Sequence, residues 1–156
     1  RGLGDVYKRQ KVHEASFVGP LGTVPGFARV ITNCRDYTKL MQMLANGGIH
    51  NGEHILGRKT IDLIRTNTLT PTMIKEDFSN DYLAGYGYGY GMRTLMNRYE
   101  GQHNGMLGQF GWTGGSGTWA ECDPETGLSI VYMHNLQPNL EQYHHLRMRE
   151  VAYGCL

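Results

Sequence analysis

Residues 108–119 (GQFGWTGGSGTW) hold the sequence features best suited to chemistry. A glycine-rich turn that runs straight into a strand presents backbone N–H groups, and such groups stabilise an oxygen anion. The same residues also read as a glycine-rich hairpin loop with two tryptophans packed in the core, and composition alone leaves both readings open. Ser116 lies among glycines, but Thr118 occupies the last position of a Gly-x-Ser-x-Gly elbow, so that nucleophile motif is not formed. Gly115, Gly117 and Ala120 fit a loosened dinucleotide fingerprint, yet Glu121, Asp123 and Pro124 follow where a helix is required.

The histidines give no metal pattern. His144 and His145 are adjacent, which on a helix turns them about 100° apart, and the expectation is that both lie on the surface. His103 and His134 stand alone, in a loop or a satisfied strand position, and no His-Glu-x-x-His occurs. No metal and no cofactor is expected.

The elements that must position residues 108–119 belong to a chain of 156 residues with a formal net charge of +1. That charge gives no field suited to a polyanion, so no nucleic-acid partner is expected. No apolar run approaches the ~20 residues of a membrane span. Cys34, Cys122 and Cys155 are widely separated and are expected to be buried free thiols. Residues 1–10 (RGLGDVYKRQ) show neither helical nor strand periodicity and resemble a translated adaptor, so fold reasoning begins at residue 11.

Thr32 or Asn33 can cap a helix carrying Tyr37, Leu40, Met41 and Leu44 at helical spacing, with Gly47 and Gly48 ending it. An extended piece at 49–56 precedes a shorter helix at 58–65, a Thr- and Pro-containing loop at 67–72 and a surface excursion at 73–83. Residues 85–92 (GYGYGYGM) alternate strictly, which puts Tyr86, Tyr88, Tyr90 and Met92 on one face of a strand and four glycines on the other, open to close packing. Strands at 117–123 and 128–134 form a hairpin around Asp123-Pro124-Glu125-Thr126-Gly127. Asn139 can cap a last helix with Leu140, Tyr143, Leu146, Val151 and Cys155 on its apolar side, and Glu141, Gln142, His145 and Arg149 elsewhere. Helices, then antiparallel strands, then a closing helix make an α+β fold.

Residues 32–56, the alternating run at 85–93, Gly111-Trp112-Thr113-Gly114-Gly115 with Gly117-Thr118, and Asp123-Pro124 together resemble, in this order, serine hydrolases of the β-lactamase and penicillin-binding-protein superfamily, chiefly class C lactamases and their esterase relatives. The resemblance implies the C-terminal part of a β-lactamase/transpeptidase-like fold, an antiparallel sheet with flanking helices, over residues 11–156. It also implies acyl transfer from a small-molecule ester, amide or peptide: a serine of a Ser-x-x-Lys motif attacks a carbonyl, and the lysine and a Tyr-x-Asn tyrosine manage protons. The family's third motif, Lys-Thr-Gly or a variant beginning with His or Trp, matches Trp112-Thr113-Gly114. By that match Trp112, Thr113 and Gly114 would bind substrate, Thr113 through its hydroxyl, and Gly115 would offer a backbone N–H to the oxyanion.

Two departures shape the expectation. Trp112 replaces the lysine, and an indole with one donor and no charge cannot pair with a lactam carboxylate, so the resemblance turns toward esterases and amidases. Ser16, Ser79, Ser116 and Ser129 are followed three residues on by Gly19, Tyr82, Trp119 and Tyr132, and no Tyr-x-Asn occurs. The nucleophile is therefore expected on a segment preceding these residues, which alone would be inactive. The alternatives are an inactive binding or regulatory protein that kept the fold, and a small α+β domain without an active site.

Overall fold

The computed structural model describes residues 32–79, 82–136 and 141–156. Asn33 settles the first cap: its side chain accepts from the Asp36 N–H at 3.0 Å and starts helix α1, Cys34–Ala45. Gly47, at φ +67°, ends it in the left-handed conformation that a C-terminal glycine supplies. The extended piece expected at 49–56 is a small hairpin of β1, Ile49–His50, and β2, Glu53–His54. Asn51 and Gly52, both at positive φ, form its two-residue turn.

Helix α2 spans Arg58–Ile64. The loop and surface excursion expected beyond it are corrected by helix α3, Pro71–Asp77, in which Thr70 caps the Met73 N–H and Pro71 enters the first turn. Proline at that position loses no hydrogen bond and arrives with helical φ, so Thr-Pro here starts a helix instead of marking a loop.

Five strands follow: β3, Tyr86–Tyr88; β4, Arg93–Leu95; β5, Phe110–Thr113; β6, Trp119–Asp123; and β7, Leu128–Tyr132. They form one antiparallel sheet in chain order. Strand β3 is shorter than the alternation suggests, because Gly89 N–H bonds to the Met92 carbonyl and the chain reverses into β4. Tyr90 consequently leaves the tyrosine face and is 61% exposed. The glycine side of β3 does receive close packing. A Cβ on Gly87 would lie 2.5 Å from the Asn67 side chain, and one on Gly89 would lie 2.0 Å from the Ile64 carbonyl.

Strand β6 is buried along its whole length. One face of the sheet gives Phe110, Ala120 and Cys122 to the core with Met41, Leu44 and Ile61. Strand alternation turns Trp119, Glu121 and Asp123 to the opposite face, where helix α4, Glu141–Tyr153, lies. The helix does not bury the side its apolar residues predict. His145 and Arg149 are 1% and 3% exposed, whereas Tyr143 and Val151 face outward. His145, Arg149 and Tyr153 recur every four residues, one helical stripe, and meet polar partners on the sheet. The expectation of a surface His145 is corrected with it. Of the thiols only Cys122 is buried; Cys34 and Cys155 are exposed.

The readings of residues 1–10 and of an Asn139 cap lie outside the described residues. Among the described residues no helix is long and apolar enough to cross a membrane.

Candidate active site

The β5–β6 connection is a tight turn closed by its own backbone. Gly114 N–H donates to the Thr118 carbonyl at 2.7 Å, and Gly117 N–H donates to the Gly114 carbonyl at 2.9 Å. A trans peptide holds its C=O and N–H in opposite directions, so with the Gly114 carbonyl drawn into the turn, the Gly115 N–H is directed away from it. Gly115 is exposed, and a Cβ built on it would meet nothing within 4 Å. Gly117 differs, with φ +90° and the His134 ring in the space that a Cβ would need.

The turn is held from behind by two carbonyl contacts. Leu136 N–H donates to the Ser116 carbonyl at 2.9 Å, and the His145 Nε2 lies 2.8 Å from the Gly117 carbonyl. The His145 ring stacks on Trp119, with centroids 5.3 Å apart and planes 18° from parallel.

Trp112 sits at the mouth of this turn and remains 38% exposed. Phe78, just beyond α3, stacks on it at 6.4 Å, and Tyr88 of β3 meets it edge-on at 5.2 Å. Phe78 and Tyr88 also touch each other at 5.8 Å, completing an aromatic triangle. Such rings present apolar area with little loss of side-chain freedom. Thr113, partly buried, pairs with Trp119 at the end of β5.

A buried polar network lies under the α4 side of the sheet. Arg149 donates to both carboxylate oxygens of Glu121 at 3.1 Å, and the Gln109 amide donates to Glu121 Oε1 at 2.7 Å. The Tyr153 hydroxyl lies 2.9 Å from Asp123 Oδ2 and 2.5 Å from Gln109 Oε1. Gly105 N–H donates to His103 Nδ1 at 2.7 Å. Burial, reinforced by the positive charges of Arg149, Arg93 and Arg98, pushes the His103 pKa down to about 2. Burial first, then the Glu121 charge, pushes the Tyr153 and Tyr86 hydroxyls far up, so both stay neutral. These groups support the strands and do not present a nucleophile. Among the described residues, no three His, Cys, Asp or Glu side chains gather to hold a metal ion.

A family model described as Beta-lactamase matches residues 4–153. The chain belongs to the beta-lactamase family. A protein of Mycobacterium tuberculosis, strain CDC 1551 / Oshkosh, is 28% identical over 109 residues, covering 67% of this chain and 27% of that protein. A penicillin-binding-protein homologue from Caulobacter crescentus superposes with a TM-score of 0.64 at 24% identity, over 92% of this chain and 40% of the other. EstCE1, described as a hydrolase with promiscuous acyltransferase activity, superposes with a TM-score of 0.62 at 22% identity, over 78% of this chain and 30% of its own. The fold is that of part of a β-lactamase or penicillin-binding protein, α+β with an antiparallel sheet and flanking helices. The chain spans about a quarter of the length of the curated relatives it matches, 26% to 27%.

Within this family's fold, Trp112, Thr113, Gly114 and Gly115 occupy one continuous strand end and turn. Sequence reasoning did not single out Phe78, Tyr88, Leu136 or His145 as their neighbours. Phe78 stood in a stretch read as a surface excursion, and Tyr88 in an alternating run that suits ordinary packing equally well. The contacts of Leu136 and His145 are set by long-range chain placement, for which local pattern carries no signal.

Proposed function

We propose that this chain supplies the oxyanion and acyl-binding wall of a serine hydrolase that acts through an acyl-enzyme on an uncharged ester, amide or peptide. The supporting observation is the Gly117 N–H to Gly114 carbonyl hydrogen bond, which by peptide planarity turns the Gly115 N–H away from the inside of the turn, on the strand end that carries the exposed indole of Trp112. In this reading a serine oxygen attacks the substrate carbonyl, and the charge that develops on the carbonyl oxygen is met by the Gly115 N–H and the nucleophile's own N–H. A lost donor of this kind costs about 3 to 4 kcal/mol of transition-state stabilisation. Thr113 offers a hydroxyl to a polar part of the substrate, and Trp112 with Phe78 and Tyr88 takes its apolar part. Collapse of the tetrahedral intermediate expels the alcohol or amine, and water then releases the acid from the serine.

The serine, its Ser-x-x-Lys lysine and the Tyr-x-Asn tyrosine belong, in this proposal, to residues beyond these 156, where neither motif occurs. Their absence from this sequence also favours a second reading, an inactive family member that keeps the wall for binding. The separating experiment uses a longer chain that adds the preceding residues and measures 4-nitrophenyl ester hydrolysis by that chain and its Gly115→Pro variant, which lacks the N–H. A hundredfold or larger fall in kcat supports the hydrolase. Equal rates in the two proteins, or no turnover by the longer chain, contradict it.

A further inference from the structure

We infer that His145 is a positioning residue that latches the candidate oxyanion turn to the last helix through the Gly117 carbonyl. The inference rests on the reading of residues 112–115 as an oxyanion wall.

A turn of four residues containing three glycines is intrinsically free in its backbone, and an oxyanion donor is useful only if its direction is fixed in advance. The bonds inside the turn, Gly117 N–H to Gly114 and Gly114 N–H to Thr118, tie it only to itself and to its own strand pair. Contacts from later segments reach it, among them Leu136 N–H to the Ser116 carbonyl and His145 Nε2 to the Gly117 carbonyl, from 20 and 28 residues further along the chain.

A carbonyl only accepts, so the 2.8 Å contact requires the proton on Nε2 of His145. The ring cannot turn away readily. It is 1% exposed and stacked on Trp119. One turn further along α4, Arg149 grips Glu121 and lies 5.3 Å from the Trp119 ring, which fixes the axial position of the helix on β6. Helix placement is thereby passed to the turn: Arg149 sets the register, and His145 delivers one N–H to the peptide plane of residues 117 and 118. The His134 ring takes the space that a Cβ on Gly117 would need. Loss of the His145 donor frees that plane and, through the Gly117–Gly114 bond, the direction of the Gly115 N–H.

Amide hydrogen exchange of the 156-residue chain, read by NMR, tests this without any substrate, so a failed latch and a failed hydrolase assignment give separate results. His145→Phe retains a ring on Trp119 and removes the donor. It is expected to speed exchange at Gly117 about tenfold while Ala120 and Cys122 of β6 are unchanged. His145→Gln, whose amide can reach the same carbonyl, is expected to restore Gly117 to within about twofold of the wild-type rate. Unchanged Gly117 exchange in His145→Phe, or equal acceleration at Gly117 and in β6 with no recovery in His145→Gln, overturns the latch. In the unsubstituted protein, the ring nitrogen shifts of His145 must show the proton on Nε2. The opposite tautomer also overturns it, even if His145→Phe fails to fold.

Discussion

Arg149 on the last helix faces Glu121 on β6 with Nε and a terminal nitrogen each 3.1 Å from a carboxylate oxygen, a bidentate pair with both side chains 3% exposed. The pair explains why α4 packs polar side inward. The sheet face beneath it carries Gln109, Glu121 and Asp123, and Arg149 and Tyr153 answer those groups where leucines would leave them unpaired.

Removal of one partner from such a pair leaves a buried charge without compensation. Arg149→Met is expected to lower the unfolding free energy by about 3 to 5 kcal/mol. Urea denaturation monitored by circular dichroism measures it, and a loss below about 1 kcal/mol would place the pair in contact with water.

Stability should fall with acid through His103. Its folded pKa, about 2, lies below the ordinary 6.5, so between those values the unfolded chain binds a proton that the folded chain refuses. The contribution is complete above pH 6.5 and is lost as pH falls toward 2. Glu121 Oε1 is 3.9 Å from the ring but does not reverse this, because its charge is already matched by Arg149. Unfolding free energy is expected to be about 2 kcal/mol lower at pH 5 than at pH 7 from this group. His103→Asn, which retains an acceptor for Gly105 N–H, should remove that part of the pH dependence. An unaltered slope in His103→Asn would contradict the assignment.

The sheet glycines divide into two kinds. A Cβ on Gly111 would lie 2.1 Å from the Ala120 carbonyl, a backbone atom that cannot move without breaking the β5–β6 ladder. Gly111→Ala should cost about 1 to 3 kcal/mol or more. Gly115→Ala, with open space around its Cα, should change stability by less than about 0.5 kcal/mol. Thermal melts of the two variants give the comparison, and equal losses would contradict it.

Phe78 is expected to shield Trp112. Phe78→Ala should raise quenching of tryptophan fluorescence by acrylamide, because Trp119, 2% exposed, contributes little to quenching in either protein. The lost ring pair is worth about 1 kcal/mol beyond its area. Unaltered quenching would contradict the shielding.

What was legible in the sequence follows the range of the interactions. The Asn33 cap, the α1 stripe and the β6–β7 hairpin around Pro124 and Gly127 are written within a few residues of one another, and the structure has them. The glycine side of residues 85–89 was readable because a bare strand face needs no particular partner to invite packing. Strand β4 was missed because three residues, Arg93–Leu95, are too few to show alternation. The face of α4 was misread because apolar periodicity assumes an apolar partner, whereas Arg149 is buried by an acid 28 positions earlier. The Trp112-Thr113-Gly114-Gly115 turn was legible as a motif, but its neighbours Phe78 after α3, Tyr88 of β3 and His145 of α4 are brought to it by long-range chain placement.

In the proposed function, residues 112–115 serve a serine nucleophile carried outside these 156 residues. The most direct measurement is labelling with a fluorophosphonate probe, followed by mass spectrometric location of the adduct, on the 156-residue chain and on a chain extended to include the preceding residues. A stoichiometric adduct is expected on the serine of a Ser-x-x-Lys motif in the longer chain and none on the shorter. An adduct on Ser16, Ser79, Ser116 or Ser129, or no adduct on either chain with probes of several acyl sizes, would contradict it.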